Sequence, residues 1–454
     1  MPSGVFDSIL LKNSWSTEEL RGVFSDENRV QKWYDIEATL ASEQAAFGIV
    51  PREAAGEIMR KAKIANVDLA EIARAMADAK HPLVPALRAL QKLCKPELGE
   101  WLHYGPTTQD ILDTGMVLQL KESHAITLRD LRAVGRVLYG LAERHRATPM
   151  AGRTHGVQAL PITFGHKCAI WLREMSRHRE RLAEVEKRVF VGCLVGAVGT
   201  MASFGPKAVE LEAGVMKRLG LAQADISWHP ARDRFAEYAS ILGLVAGTLT
   251  KIANEVSHLQ ATEVDEVEEP FNPGKVGSST MPHKRNPSLC ETMITVGSTL
   301  RYDVAIMQEA LVQTHERSSA IWKMEWKALP EICMGLGLML SIGRNVLEHL
   351  VVKPARMREN LDCLGGLLLS ERVMFFLGEK LGKQTAHEVV YEAAMAAQEQ
   401  GLTLEAALAR DVRVTSVATS AELAGILDPT TYVGLAPELV DRALARTTAE
   451  GWLS

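Results

Sequence analysis

Several protein classes are excluded by what the chain has little of. Aromatic residues make up only 6% of the sequence, which, beside frequent Ala, Leu, Met and Glu, leans towards helix. There is no basic excess: Lys plus Arg total 51 against 56 Asp plus Glu, a formal charge of −5. Nothing is left over to neutralise a phosphate backbone, so no nucleic-acid partner is expected. Long apolar runs are absent as well. The longest uncharged stretch, residues 189–206, is broken by Gly192, Gly196, Gly199 and Gly205. A membrane-spanning helix needs about 20 mostly apolar residues, so this stretch reads as a buried, turn-rich connection and no membrane partner is expected. Cysteines number six and are scattered, without the close Cys or His pairing of a zinc site. Reduced thiols, no metal and a cytoplasmic location follow as expectations. The opening Met1-Pro2-Ser3-Gly4-Val5-Phe6-Asp7 lacks a basic start and an apolar core, so no signal peptide is expected.

What is present is an ordinary globular composition, 47% hydrophobic and 24% charged over 454 residues. That length suits two or three domains better than one core. Helical periodicity dominates. Residues 109–147 place Ile111, Leu112, Met116, Leu120, Leu131, Val134, Leu138 and Leu141 mostly three and four apart. Segments near 161–189, 233–267, 287–313 and 329–350 behave likewise, and the apolar density of 241–259 marks a central helix. Gly105-Pro106 and Val352-Lys353-Pro354 flank this block. The expected architecture is all-α, with three mostly helical parts: 1–105, a central long-helix bundle over 106–350, and 351–454.

The most unusual stretch runs from Pro273 to Pro287 between two of these helices. It holds Gly274, Gly277, Ser278 and Ser279 together with Lys275, His283, Lys284 and Arg285. Loops this rich in Gly and Pro are often functional. Asn286 before Pro287 suits a helix start, and a helix N-terminus beside basic residues favours an anion. A solvated basic loop is equally compatible with these residues.

The segment Gly277-Ser278-Ser279-Thr280-Met281-Pro282-His283-Lys284-Arg285-Asn286-Pro287 resembles the signature loop of the fumarase/aspartase superfamily. Two further segments fit in order: His103-Tyr104-Gly105-Pro106-Thr107-Thr108-Gln109-Asp110 and Gly152-Arg153-Thr154-His155-Gly156. The resemblance implies a cofactor-independent enzyme that moves a proton beside a carboxylate while a C–N or C–O bond at the next carbon breaks or forms. It implies Ser279 as base, Lys284 and Asn286 on substrate carboxylate, and His155 as general acid. It also places Thr107, Thr108, Gln109, Arg153, Thr154, Ser278, Met281, His81 and Arg232 at the substrate, a small polycarboxylate. A homotetramer is implied too, its long helices forming a shared bundle and each active site drawing on three subunits.

The second half discriminates within the family. Arg232-Asp233-Arg234, Thr314-His315-Glu316-Arg317 and Leu427-Asp428-Pro429 resemble the bacterial 3-carboxy-cis,cis-muconate cycloisomerases. Adenylosuccinate lyases carry an arginine-based phosphate anchor after the His-Glu-Arg segment; here Met324-Glu325-Trp326-Lys327 stands instead, which disfavours a nucleotide. Thr154-His155-Gly156 is the lyase form, and Ala231 replaces a common glutamine. A lactonising cycloisomerase is therefore the first expectation. A fumarate-releasing lyase of an N- or O-substituted succinate is the second, and a catalytically silent helical-bundle binding protein the third.

Overall fold

The computed structural model describes residues 4–271 and 280–454. Local chemistry sets most helix starts. Ser25 opens α1 (Asp26–Ala46) by accepting from the Asn28 N–H, and Asp68 opens α2 (Leu69–Ala79) by accepting from Ala70. Helix α3 (Val84–Leu93) is begun by a histidine: His81 Nδ1 accepts from the Leu83 and Val84 N–H groups at 3.2 and 3.0 Å. The long α4 (Thr108–Arg144) starts where Asp110 Oδ2 accepts from the Thr107 N–H at 2.9 Å, one half of a capping box.

A hairpin follows. Strands β1 (Pro149–Thr154) and β2 (Val157–Thr163) pair antiparallel, with a register shift at Gly152/Arg153. Thr163 Oγ1 then accepts from His166 N–H to start α5 (Phe164–Val189). Helix α6 (Asp233–Leu259) leads to β3 (Val267–Glu268), and α7 (Ser288–Glu309) to α8 (Ser319–Glu348). The two-residue β4 (Val351–Val352) pairs with β3. Helices α9 (Pro354–Asp362), α10 (Ser370–Leu381) and α11 (Lys383–Gln400) begin the C-terminal part. The fold is all-α; among the described residues the strands form only two two-stranded ribbons.

The chain divides into two compact units. Unit 1 holds Met1–Leu131, His178–Thr250 and Thr292–Ser341; unit 2 holds Arg132–Arg177, Lys251–Glu291 and Ile342–Ser454. The parts expected from sequence are consecutive, whereas these units are not, because each long helix from α4 to α8 gives residues to both.

In unit 1, Phe235, Tyr238, Leu242, Val245 and Leu249 of α6 are buried, each burial contributing roughly 1.5–3 kcal/mol. Leu244 departs from the central-helix expectation and is half exposed. Helices α6, α7 and α8 approach closely at Gly297, where a Cβ would lie 2.1 Å from Thr250 Oγ1 and 2.6 Å from Met339 Cε. A larger residue there would have to displace the Thr250 and Met339 side chains. The C-terminal part of unit 2 has its own core, with Val373, Leu377, Ala386, Val389 and Leu404 buried together. Among the described residues no helix is long and apolar enough to cross a membrane.

Candidate active site

Unit 1 gathers His81, Thr107, Thr108 and Gln109 at the start of α4. Because His81 Nδ1 accepts two backbone N–H groups, its proton sits on Nε2, which faces Thr108 Oγ1 at 3.4 Å. Burial, then the nearby His103 and Arg88, lower the His81 pKa. The ring is thus held as a neutral donor.

Gln109 is buried and fully engaged. Its Nε2 donates to Asp113 Oδ2 at 3.0 Å and to the His229 carbonyl at 3.2 Å. Its Oε1 accepts from Arg317 Nε at 2.6 Å. The expected contact between Gln109 and substrate is replaced by a positioning role: the amide aims Arg317, which also donates to the Ala197 carbonyl at 3.0 Å. Arg317 was not among the expected site residues. Its signal lay in the His-Glu-Arg segment, but its partner is 208 residues away in sequence.

Arg232 also departs from expectation. Its guanidinium is fully buried and all five N–H donors are used, on Glu325, Asp113 and the His229 carbonyl. The Trp228 and Phe235 rings flank it at 5.0 and 5.1 Å. No donor remains for a substrate, so Arg232 is a buried cross-link of unit 1 rather than a carboxylate clamp.

Asp110 ties the turn-rich 189–206 stretch to α4. Its carboxylate accepts from the Val195 and Gly196 N–H groups and faces His229 Nε2, each at 3.0 Å. With Cys193 these residues form the one group among the described residues with metal-like spacing. The carboxylate oxygens are already occupied by N–H donors, and burial, then Asp110, raise the Cys193 pKa well above its usual value and keep the thiol protonated. The group is a clasp on the loop. Close by in sequence, His103 Nδ1 pairs with buried Glu37 at 2.6 Å. Burial opposes its charge, but the Glu37 carboxylate prevails and the His103 pKa is raised.

Unit 2 holds Arg153, Thr154, His155, Met281, Lys284 and Asn286. His155 and Gly156 are the tip of the β1–β2 hairpin, between the paired Thr154 and Val157. Both have positive φ, 53° and 80°, the type I′ geometry that right-twisted strands require. A non-glycine residue there is strained, and it carries an exposed imidazole. Arg153 was expected on substrate, yet its two terminal nitrogens lie on buried Glu266 at 3.0 and 2.7 Å. Asn360 steadies the same carboxylate at 2.8 Å. Arg153 therefore fixes the hairpin that presents His155.

Ser278 and Ser279 lie outside the described residues. Beyond them Met281, Lys284 and Arg285 are exposed. The anion expected at the N-terminus of α7 is the protein's own: Glu269 accepts from the Leu289 and Cys290 N–H groups at 3.1 and 3.0 Å. Arg285 pairs with Glu268 at 2.7 Å and lies over the Phe271 ring. Gln260 donates to its carbonyl at 3.1 Å. The end of the signature loop is thus pinned on both its backbone and its side chain.

Unit 1 thus supplies Arg317 aimed by the buried Gln109 amide, and unit 2 an exposed imidazole on a hairpin fixed by buried Glu266, together with an exposed Lys284. These groups suit acid–base chemistry on an anionic substrate. A family model described as "Lyase" matches residues 12–300, and one described as "Adenylosuccinate lyase C-terminus" matches 366–443. The chain is 47% identical over 453 residues to an N-acetyl-S-(2-succino)cysteine lyase of Enterococcus italicus, covering 100% of this chain and 99% of the relative. It is 40% identical to a 3-carboxy-cis,cis-muconate cycloisomerase of Pseudomonas aeruginosa, covering 95% of each. The solved 3-carboxy-cis,cis-muconate lactonizing enzyme of Pseudomonas putida superposes with a TM-score of 0.92 at 37% identity, covering 96% of this chain and 98% of that one. The chain belongs to the fumarase/aspartase superfamily of lyases and cycloisomerases.

Proposed function

We propose that the chain is a lyase that cleaves the C–S bond of N-acetyl-S-(2-succino)cysteine or a close thioether, releasing fumarate. The observation that carries this reading is the higher full-length identity to the succinocysteine lyase than to the cycloisomerase. It extends the expected N- or O-substituted succinates to sulfur. In the proposed step a base takes a proton from the succinyl methylene, which lies between a carboxylate and the carbon that bears sulfur. That electron pair forms the double bond, and the C–S pair leaves on sulfur. The products are fumarate and N-acetylcysteine, with no change of oxidation state that would call on a redox cofactor.

Ser279 is the proposed base, Lys284 and Asn286 the carboxylate holders, and His155 the donor to the departing group. Each donor aimed at the developing charge is worth about 2.7–4 kcal/mol. A homotetramer with three subunits at each site completes the proposal. A nucleotide substrate fits poorly. Where the phosphate anchor would stand, Glu325 holds Arg232, and Lys327 is engaged by Asp303 and Glu331.

Purified enzyme given N-acetyl-S-(2-succino)cysteine should release fumarate and a free thiol in equal amounts, and Ser279→Ala should abolish both. Turnover that survives Ser279→Ala would remove the proposed base. The second reading is the lactonising cycloisomerase, favoured by the TM-score to the Pseudomonas putida enzyme; consumption of 3-carboxy-cis,cis-muconate alone would establish it.

A further inference from the structure

Unit 1 contains a cavity of about 540 Å3 that the elimination step does not use. Its walls are mostly apolar, with Trp33 of α1, Met76 of α2, Leu112 and Met116 of α4, Trp326 of α8, and Pro82, beside Gln119 of α4. The charged side chains lining it are Asp26, Glu27 and Arg29, and Arg29 is held by Asp26 at 2.6 Å. With acids in excess and the lone arginine engaged, the cavity is unsuited to a dicarboxylate. It is matched instead to a neutral, apolar group.

Its position ties it to the candidate site. Thr108, Leu112, Met116 and Gln119 recur along one face of α4, and the last three line the cavity. Thr108, at the head of that face, meets His81 Nε2, and Pro82, the next residue, lines the cavity. The cavity therefore begins about one helical turn beyond the His81–Thr108 pair. A substrate whose thiol half lies at that pair would extend its far end into the cavity. An acetyl group is far too small to fill it, and apolar cavities of this size accept much larger ligands.

We infer that this cavity is an acyl subsite, which receives the N-acyl tail of the thiol half of the substrate and favours tails longer than acetyl. The inference rests on the thioether-lyase reading for its choice of ligand. Each methylene moved from water into the cavity should strengthen binding about fourfold.

The test uses the full-length enzyme and the thiols themselves, so that binding is read without turnover. N-acetyl-, N-butanoyl- and N-hexanoyl-cysteine are titrated by calorimetry, with the fluorescence of Trp33 and Trp326 as a second signal. Affinity should rise tenfold or more from acetyl to hexanoyl. Ala73→Trp, on the exposed face of α2 where it lines the cavity, should remove that gain; Ala70→Phe is the independent second filling. Equal affinities across the series, or a gain that survives both fillings, would overturn the subsite. Fumarate release from the matching S-succino adducts is measured in parallel. Tail-dependent binding without fumarate from any adduct would overturn the thioether-lyase reading and, with it, the cavity's role as a substrate subsite, leaving only an acyl-binding cavity.

Discussion

At the scale of single residues, the site is defined by which polar groups are already taken. Arg232, Arg153 and Gln109 all look like ligand-binding residues in the sequence, and each is engaged by a buried carboxylate: Glu325 and Asp113, Glu266, and Asp113 respectively. Arg232→Gln should lower the unfolding free energy by roughly 3–5 kcal/mol, because Asp113 and Glu325 would be left buried against a neutral amide. Denaturant unfolding checks this; a change below about 1 kcal/mol, the value of an exposed pair, would mean the network is not a cross-link. His155 should behave differently. A thiol ionises near pH 8.5, so a thiolate leaves with less help than an amine. His155→Asn should therefore reduce kcat on the thioether by less than the 10²–10⁴-fold, order-of-magnitude range typical of a lost general acid. The motifs single out His155 and Lys284 as candidates. The occupancy of Arg232 was not legible, since both its carboxylate partners lie about a hundred residues away in sequence.

At the scale of elements, the long helices were readable from apolar spacing because each buries one continuous stripe, as Leu131, Val134, Leu138 and Leu141 do. The β1–β2 hairpin was hidden. Its turn uses His-Gly rather than Asn-Gly, so the usual turn signal is weakened at the very residue proposed to act on substrate. Asn tolerates positive φ well, so His155→Asn should keep or raise the melting temperature while activity falls; a lower one would mean the imidazole also supports the hairpin. The sequence offers Asn286 as a cap for α7; that Glu269 accepts from the Leu289 and Cys290 N–H groups was not readable, because the partners lie 20 and 21 residues apart. Glu269→Ala should cost about 1 kcal/mol of stability, as loss of a cap does, read by urea unfolding.

At the scale of the whole molecule, pH dependence follows from the His103–Glu37 pair. The folded His103 pKa is raised above the unfolded value near 6.5. Its contribution is fully present below about pH 6.5 and is lost as pH rises through the folded pKa. His103→Gln should therefore lower the melting temperature more at pH 6 than at pH 9, these being points on either side of the roughly neutral window; an equal effect at both would place the histidine's role in packing alone. Assembly is tested by mixing. If sites draw on several subunits, co-refolded Ser279→Ala and His155→Asn chains should show more activity than the His155→Asn chain supplies alone; activity no higher than that would contradict shared sites. Fold class and chemistry were legible because motifs and periodicity are local. The choice among sulfur, nitrogen and oxygen leaving groups was not, because it depends on what lines the far side of the substrate. The decisive measurement is a competition in one vessel between N-acetyl-S-(2-succino)cysteine and 3-carboxy-cis,cis-muconate at equal concentration. A thioether lyase consumes the first, releasing fumarate and thiol together, and leaves the second intact. Consumption of the muconate with no thiol released would contradict it.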